Sequence, residues 1–209
     1  MIKSLRWDGR LVRTGVTLLC SLFMMSACSS GPPPKLYLLE PFDVDAGTIQ
    51  LAKTSGIKSL GMSPVELPGY SSDAQIASLQ SDGTVNQDDG NRWAEEPEDA
   101  ITRLLSDRLR AHTEATVLVE PWPRDYEPVA RVEVSFDKFL REPGGGAQMT
   151  GQILLLSGSG RKLLKAVSFN ISHVGFDTDR RVFFMAVAKG IDDIARMAVE
   201  EIQALNIKS

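Results

Sequence analysis

The chain has 209 residues, of which 43% are hydrophobic and 24% charged, and its formal net charge is −4 at pH 7. This apolar content suffices for a folded core, but the acidic balance excludes the basic surface that nucleic-acid-binding proteins need, so we expect no nucleic-acid partner. The two cysteines, Cys20 and Cys28, lie close to the start, which excludes disulfide chemistry and a cysteine nucleophile from the remaining chain.

The start of the chain has the pattern of a bacterial lipoprotein signal peptide. Four basic residues precede an apolar stretch, residues 16–25, that is too short to span a bilayer as a stable anchor. The small residues Ser26 and Ala27 stand directly before Cys28, as in a lipobox. We therefore predict that residues 1–27 are removed as a signal peptide and that Cys28 is the lipidation site. The alternatives are an ordinary cleaved signal in which Cys28 is incidental, and a buried helix.

Residues 28–35 are predicted to be a lipidated tether that joins the anchor to a domain over residues 36–209. Each buried methylene of an acyl chain contributes about 0.8 kcal/mol, so several chains on one cysteine hold a protein at a bilayer. Three prolines, Pro32 to Pro34, favour an extended tether with a reach of about 20 Å. Ser29 rather than Asp follows Cys28, as in lipoproteins sorted to the outer membrane. We therefore expect a domain that is lipid-anchored at the outer membrane and faces the periplasm.

Alternation of apolar and polar residues predicts four short strands before the first helix, over residues 36–40, 57–65, 75–79 and 84–86. The turn Ser81-Asp82-Gly83 between the last two suits a tight hairpin, because Asp-Gly supplies the positive φ values that such a turn needs. Residues 41–56 are polar and irregular, and we expect a loop there.

A helix is predicted over residues 97–111. Pro97 suits its first turn, and the acidic residues around Pro97 complement the positive helix N-terminus. The leucine and isoleucine residues of this segment recur on one helix face, which predicts that only this face is buried. A short strand over residues 116–119 follows, so that strand, helix and strand form a crossover unit.

Three longer strands come next, over residues 129–140, 148–157 and 162–172, joined as an antiparallel meander by glycine-rich turns. A long helix over residues 179–205 follows, with Asp177, Thr178 or Asp179 as its cap. Two helices that are apolar on one side and a mixed sheet predict a single layered α/β (α+β) domain with both helices on one sheet face.

The strand over residues 148–157 carries apolar residues on both faces. Leu154 and Leu156 would face away from the helices, together with Phe139 and Leu164, whose positions have the same parity. One interpretation is that the segment 41–56 or another loop covers this second apolar patch. The other is that Leu154 and Leu156 form a surface for self-association or for a partner.

No motif of catalysis or of metal binding has the required spacing. His112 and His173 are far apart in sequence, at a helix end and after a strand, where lone histidines are more common than a catalytic pair. The segment Gly158-Ser159-Gly160 lacks the spacing of a phosphate-binding loop and is typical of a hairpin. The acidic residues 95–99 are explained by the helix start. The sequence therefore predicts no enzyme activity, no cofactor and no metal site.

Several segments together resemble one protein family. They are the opening Tyr37-Leu38-Leu39, the turn Leu67-Pro68-Gly69-Tyr70, and the run Asn91-Arg92-Trp93-Ala94-Glu95 that leads into Glu98 and the helix after it. With the lipobox, these segments are similar to the ABC-type transport auxiliary lipoprotein family of PqiC-like lipoproteins. The resemblance covers essentially the whole mature chain, including the order of meander and closing helix.

The resemblance implies a non-enzymatic outer-membrane lipoprotein. Members of the family work with a mammalian-cell-entry (MCE) protein anchored in the inner membrane, in lipid transport across the periplasm and in envelope integrity, and they can form rings. A docking role for an MCE partner implies exposed contact residues, and Tyr70 and Trp93, which are aromatic and flank loops, are our candidates. Packing over the first helix is the alternative role for both.

Two other functions remain open from the sequence. One is a lipid-carrying module, because the meander is rich in leucine, phenylalanine and methionine and could enclose an acyl chain. The other is a structural or assembly lipoprotein unrelated to transport. Whether a permease, an ATPase and an MCE protein are encoded beside this protein would separate the second from a transport role.

Overall fold

The computed structural model describes residues 32–40, 57–177 and 179–207. These residues form one mixed sheet of eight strands and two helices. The elements in chain order are β1 (Lys35–Tyr37), β2 (Ser59–Met62), β3 (Gln75–Leu79), β4 (Val85–Trp93), α1 (Pro97–His112), β5 (Thr116–Val119), β6 (Ala130–Arg141), β7 (Ala147–Ser157), β8 (Leu163–His173) and α2 (Arg180–Ala204). The predicted loop 41–56 lies outside the described residues.

The long strand β6 organises the sheet. Along one side it pairs antiparallel with β7, which pairs in turn with β8. Along its other side β6 pairs in parallel with β2 near its start and with β3 at its end. Strands β5 and β4 continue these two branches, and β1 pairs in parallel with β4. Because two branches share one edge of β6, the sheet is curled rather than flat. Strands β2 and β5 lie at the start of β6, and strands β3, β4 and β1 lie at its end.

Both helices pack on one face of the sheet, against each other, and bury one face each in a common core. Helix α1 begins at Pro97, with Glu98 and Asp99 in its first turn. Helix α2 is capped by Asp179, whose carboxylate accepts a hydrogen bond of 2.9 Å from the Arg181 amide. The predicted α/β (α+β) class, the long closing helix and the strand–helix–strand order are confirmed, and β5 pairs in parallel with β2. None of the described helices is both long enough and apolar enough to cross a membrane.

The prediction that Phe139 faces away from the helices is wrong. A β-bulge interrupts the pairing of β6 with β7 between Phe136 and Lys138. The extra residue reverses the parity of the strand beyond it, so Phe136 and Phe139 both point into the core, with 5% and 2% of their surface exposed. The apolar patch predicted on the open face therefore loses Phe139.

An aromatic cluster forms the core where β1, β4, β6 and α2 meet. Trp93 packs edge-on against Phe183 and Phe184, with ring centroids 6.1 and 4.7 Å apart. Phe139 completes the contact with Trp93, and Tyr37 stacks on Phe184 at 5.5 Å. Such pairs add about 0.5–1.5 kcal/mol each to the burial of their apolar surface. The cluster therefore fixes the short edge strand β1 and the first turns of α2 to the sheet.

Candidate functional site

A cleft of about 470 Å³ opens beside β6, where the chain that follows β2 runs past the first turn of α1. The chain that follows β2 forms one wall, and β6, with Leu154 of β7, forms the other. Its lining includes four carboxylates, those of Glu66, Glu98, Glu120 and Glu133. The cleft is within the size range of ligand-binding pockets, and its chemistry is acidic with an apolar side chain at one side.

Backbone hydrogen bonds fix the chain after β2, which forms one wall of the cleft, to β6. The segment after β2 continues alongside β6, because the Glu66 amide donates to the Val134 carbonyl at 3.1 Å and the Phe136 amide donates to the Glu66 carbonyl at 2.8 Å. On the helix side, the Thr102 hydroxyl accepts a hydrogen bond of 3.0 Å from the Val65 amide. The carboxylate of Glu98 accepts one of 3.3 Å from the Leu67 amide. This wall is therefore tied both to the sheet and to α1.

The charge of the cleft is only partly compensated. Glu120 forms an ion pair of 3.2 Å with Arg131 and accepts a hydrogen bond of 3.1 Å from the Ser63 hydroxyl. Arg131 is itself held by the Gly158 carbonyl at 2.6 Å and by the ring of Trp122, 4.9 Å from the guanidinium. In the part of the chain that the structure describes, the other three carboxylates of the cleft form no ion pair. The cleft is therefore a site of net negative charge.

Leu154 and Leu156 lie on the open face, as their parity predicts. Both are half-buried, and they are cross-strand neighbours of charged residues, Leu154 of Glu133 and Leu156 of Arg131. Leu154 lines the cleft itself. Instead of a continuous apolar patch, the open face presents leucines set among charges, which is typical of a polar protein interface rather than of a buried core.

The structure separates the two aromatic candidates. Trp93 is 3% exposed at the centre of the aromatic cluster, where it packs against Phe139 of β6 and against Phe183 and Phe184 of α2. This corrects its choice as a contact residue, because a side chain without accessible surface has nothing to offer a partner in this conformation. Tyr70 is half-buried in the turn after Leu67 and remains a candidate. Its carbonyl accepts a hydrogen bond of 3.2 Å from the Gln87 side chain, which fixes the turn to β4.

Comparison with known proteins identifies the family. The model of the ABC-type transport auxiliary lipoprotein component matches residues 37–198. The chain belongs to this family. No curated protein matches the sequence.

Two crystal structures share the fold of this auxiliary lipoprotein. One, of an uncharacterised protein, is 16% identical with a TM-score of 0.64, and the match covers 82% of this chain and 99% of the other. The second, of a DUF330 family protein from Xanthomonas campestris, is 12% identical with a TM-score of 0.61 and covers 79% of this chain and 92% of the other. At these identities the likeness concerns the fold.

The distinctive run Arg92-Trp93-Ala94-Glu95 of the auxiliary lipoprotein has a structural role. Trp93 ends β4 inside the core, and the Ala94 amide donates to the Tyr37 carbonyl at 2.8 Å. Glu95 forms an ion pair with Arg103 of α1, and Arg103 also donates to the Leu39 carbonyl at 3.2 Å. The run therefore joins β1, β4 and α1 at the point where the folded domain begins.

The two histidines belong to helix packing rather than to one site. His112 Nε2 lies 2.9 Å from Asp192 Oδ1, and His173 Nε2 lies 2.8 Å from Asp193 Oδ2. Arg196 pairs with both aspartates. The end of α1 and the end of β8 are thus each attached to the middle of α2, through neighbouring residues.

Within residues 32–40, 57–177 and 179–207, no group of three or more acidic, histidine or cysteine side chains could hold a metal ion.

A charged cluster that the sequence did not indicate lies at the other end of β6. Asp88 of β4 receives hydrogen bonds of 2.6 and 3.0 Å from Arg180 at the start of α2 and one of 2.9 Å from Asn91. Burial alone would raise the pKa of Asp88, but these bonds and the Arg180 charge together lower it. Arg141, 6% exposed, lies close enough that burial and the Arg180 charge lower its own pKa, while Asp88 raises it. In the sequence only the adjacent pair Asp88 and Asp89 marks this place, and it lies outside the family-like segments.

Cys28, the predicted lipidation site, lies outside the described residues, as do the predicted signal peptide and the start of the tether. The described chain begins at Pro32 and enters β1 at Lys35. Lipidation of Cys28 therefore stays a prediction from the sequence.

Proposed function

We propose that this auxiliary lipoprotein is anchored by Cys28 in the outer membrane, faces the periplasm, and docks an MCE protein of an inner-membrane lipid transport complex. In this role it is not an enzyme: it holds the end of a partner that spans the periplasm and so supports lipid transport and envelope integrity. Family membership over residues 37–198 is the observation that carries the proposal.

The acidic cleft supports a docking role and suggests where docking occurs. Three carboxylates without an ion pair and a half-buried leucine favour a polypeptide segment that carries basic and apolar side chains. Electrostatic complementarity of this kind contributes mainly to the rate and the specificity of association. Leu154 supplies the apolar contact beside the charges, and Leu156 extends the proposed surface along the open face. Tyr70 stays a separate candidate for a partner contact, because its turn is fixed to β4.

The same lining disfavours the lipid-carrying alternative at this cleft. An acyl chain placed among Glu66, Glu98 and Glu133 would leave carboxylates in contact with hydrocarbon, which costs several kcal/mol for each charge that is not paired. The cleft is therefore better suited to a protein segment than to a lipid tail.

The test is capture of an MCE protein by the native, lipidated protein in mild detergent. The double variant Glu66→Gln/Glu133→Gln removes two cleft charges and keeps the side-chain shapes. We expect it to capture roughly tenfold less MCE protein at low salt, because the complementary field is weakened. The matched control is Glu114→Gln/Glu200→Gln, which removes two exposed glutamates outside the cleft and should capture as the unaltered protein does.

Two results would contradict the proposal in different ways. If no MCE protein is captured by the unaltered lipidated protein, the transport role with this partner is refuted. If capture is normal but both double variants behave alike, docking occurs elsewhere than in the cleft. The variant Leu154→Ser/Leu156→Ser extends the test to self-association into rings: unchanged oligomeric mass together with unchanged capture would exclude both leucines from either interface.

A further inference from the structure

Most of the exposed large apolar side chains lie on three elements that follow one another in space, β1, the loop after β8 and α2. Among the described residues, seven such side chains are exposed, and five of them lie on or beside β1, in the loop after β8, or in the second turn of α2. These five are Leu36, Leu38, Val174, Phe176 and Met185. Phe176 is the extreme case, with 96% of its surface exposed.

The loop that carries Phe176 is tightly packed at its base. A Cβ added to Gly146 would lie 1.9 Å from the His173 carbonyl oxygen, and one added to Gly145 would lie 1.8 Å from that of Asp177. The backbone of the β6–β7 turn is thus in direct contact with the loop on both sides of Phe176. The loop then enters the cap of α2, where the Asp179 amide donates to the Asp177 carboxylate at 3.0 Å. The surrounding fold therefore holds Phe176 outward.

Phe176 lies near the place where the tether enters the domain. Tyr37 of β1 stacks on Phe184 of α2, so β1 runs beside the start of the helix. Hydrogen bonds from Arg181 chiefly lower the pKa of Asp179, and the charge of Lys35, two residues before Tyr37, adds to this effect. Asp179 follows Phe176 by three positions, a span of at most about 11 Å.

We propose that the loop of residues 174–177, with Phe176 at its tip, contacts the bilayer in which Cys28 is anchored. The inference rests on the lipid anchor of the proposed function. The tether from Cys28 to Lys35 reaches about 20 Å at 3.1 Å per residue, so the bilayer surface is never far from Lys35. Burial of a phenylalanine side chain in an apolar medium contributes enough to orient a domain that is already held at the membrane.

Apolar contact rather than charge is the attraction. Four cations lie near the loop, namely Lys35, Arg141, Arg180 and Arg181. Arg141 is buried, Arg180 is paired with Asp88 at 2.6 Å, Arg181 is paired with Asp179 at 2.7 Å, and Asp177 lies in the loop itself. The local charges offset each other, so the contact needs no anionic headgroups. We expect the depth of Phe176 to be the same in vesicles of phosphatidylcholine and in vesicles that contain phosphatidylglycerol.

The test measures the depth of residue 176 directly. The mature chain, residues 28–209, is coupled through the Cys28 thiol to a maleimide lipid in phosphatidylcholine vesicles, which makes the test independent of natural lipidation. Trp93 and Trp122 of the otherwise unaltered chain give the background emission. In Phe176→Trp the added emission should shift to the blue and be quenched by brominated acyl chains. The matched control is Ser159→Trp, in the exposed turn between β7 and β8 at the other end of β7, which should be neither shifted nor quenched.

Each outcome decides the inference. Quenching at residue 176 but not at residue 159 supports it. Absence of quenching at residue 176 in the coupled protein overturns it. A blue shift without bromine quenching that grows with protein density also overturns it, since a second copy would then cover the loop. The mass of the Cys28 peptide from the native membrane tests the anchor separately, so a failure of the proposed function is distinguished from a failure of this inference.

Discussion

Glu133 and the acidic cleft lie toward the start of β6, whereas at the end of β6 Arg141 lies below the turn that braces the loop of Phe176. Arg141 follows Glu133 by eight positions, about 25 Å along a strand. The cleft end presents uncompensated carboxylates around one leucine. The loop end presents apolar side chains, and it carries the ion pairs Asp88–Arg180 and Asp179–Arg181. One strand thus connects a surface suited to a protein partner with a surface suited to a bilayer.

The charged side chains at the two ends of β6 also differ in whether they stabilise the fold. At the loop end, Asp88, Arg180 and Arg141 connect three elements through hydrogen bonds and burial. At the cleft end, Glu66 and Glu133 face an open space. The same residue types should therefore respond very differently to substitution at the two ends.

The largest effect is expected at the aromatic cluster of the loop end. Trp93→Ala removes a buried ring that touches Phe139, Phe183 and Phe184, and it should lower the free energy of unfolding by about 3–5 kcal/mol. Urea denaturation followed by circular dichroism measures the change. Trp122→Ala, the same substitution at a half-buried ring, is the control and should cost clearly less. Equal losses in the two variants would mean that the cluster is not the main support of this end.

The ion pair of Asp88 should give a smaller effect that depends on pH. Because the folded state lowers the pKa of Asp88, its contribution is present at neutral pH and disappears as the pH falls below about 4, through the folded-state pKa. Asp88→Asn should lower the free energy of unfolding by about 2 kcal/mol at pH 7, and the difference from the unaltered protein should shrink on acidification.

The neighbouring Asp89→Asn is the matched control for Asp88. The Asp89 side chain is 86% exposed and lies 3.7 Å from Arg92, so its removal should change stability little at any pH. A loss in Asp88→Asn that is independent of pH would show that the carboxylate charge is not what stabilises the loop end.

The smallest effect on stability is expected in the cleft. Glu66→Gln/Glu133→Gln should change the free energy of unfolding by less than about 0.5 kcal/mol, because neither carboxylate has an ion pair to lose. Thermal unfolding at low and high salt measures this change, with Glu114→Gln/Glu200→Gln as reference. Destabilisation by more than about 1 kcal/mol would show that the carboxylates support the fold and would break the contrast between the two ends.

Periodicity predicted most of the elements. The strand over residues 75–79 and the strand over residues 116–119 have the predicted bounds, and both helices agree with their predictions to within about one residue. The parity of β7 correctly placed Leu154 on the open face. These elements are each apolar on one side, so their local pattern reflects the core directly.

The failures come from structure that depends on neighbours distant in sequence. Only residues 84–86 were predicted as a strand, but β4 extends from Val85 to Trp93. Its residues 86–91 are all polar or glycine, so they show no alternation of apolar and polar side chains. The strand forms because β3 pairs with its residues 85–88 and 92, and β1 pairs with its residues 91–93. The bulge in β6 likewise reverses the alternation beyond Phe136, so the sequence pattern did not predict that Phe139 is buried. Trp93 stands beside a loop in sequence, and only the folded aromatic cluster shows that it is buried.

The cleft could not be predicted for the same reason. Glu66, Glu98, Glu120 and Glu133 lie on four different segments and meet only after the chain beyond β2 has aligned with β6. Each glutamate alone is typical of a solvated surface. The sequence could indicate the leucine at the site but not the charges around it.

The short strand β1 has a mechanical consequence for a tethered protein. It is joined to β4 over three residue pairs, and Tyr37 adds its ring contact and a hydrogen bond of 3.2 Å to Asn91. Tension between an anchor before Lys35 and a partner held at the cleft would pass through these few contacts first. Their release would lengthen the connection by about 10 Å while Leu39 and the helices stay in place. Under tension, β1 would thus detach from β4 before the contacts of the hydrophobic core were broken.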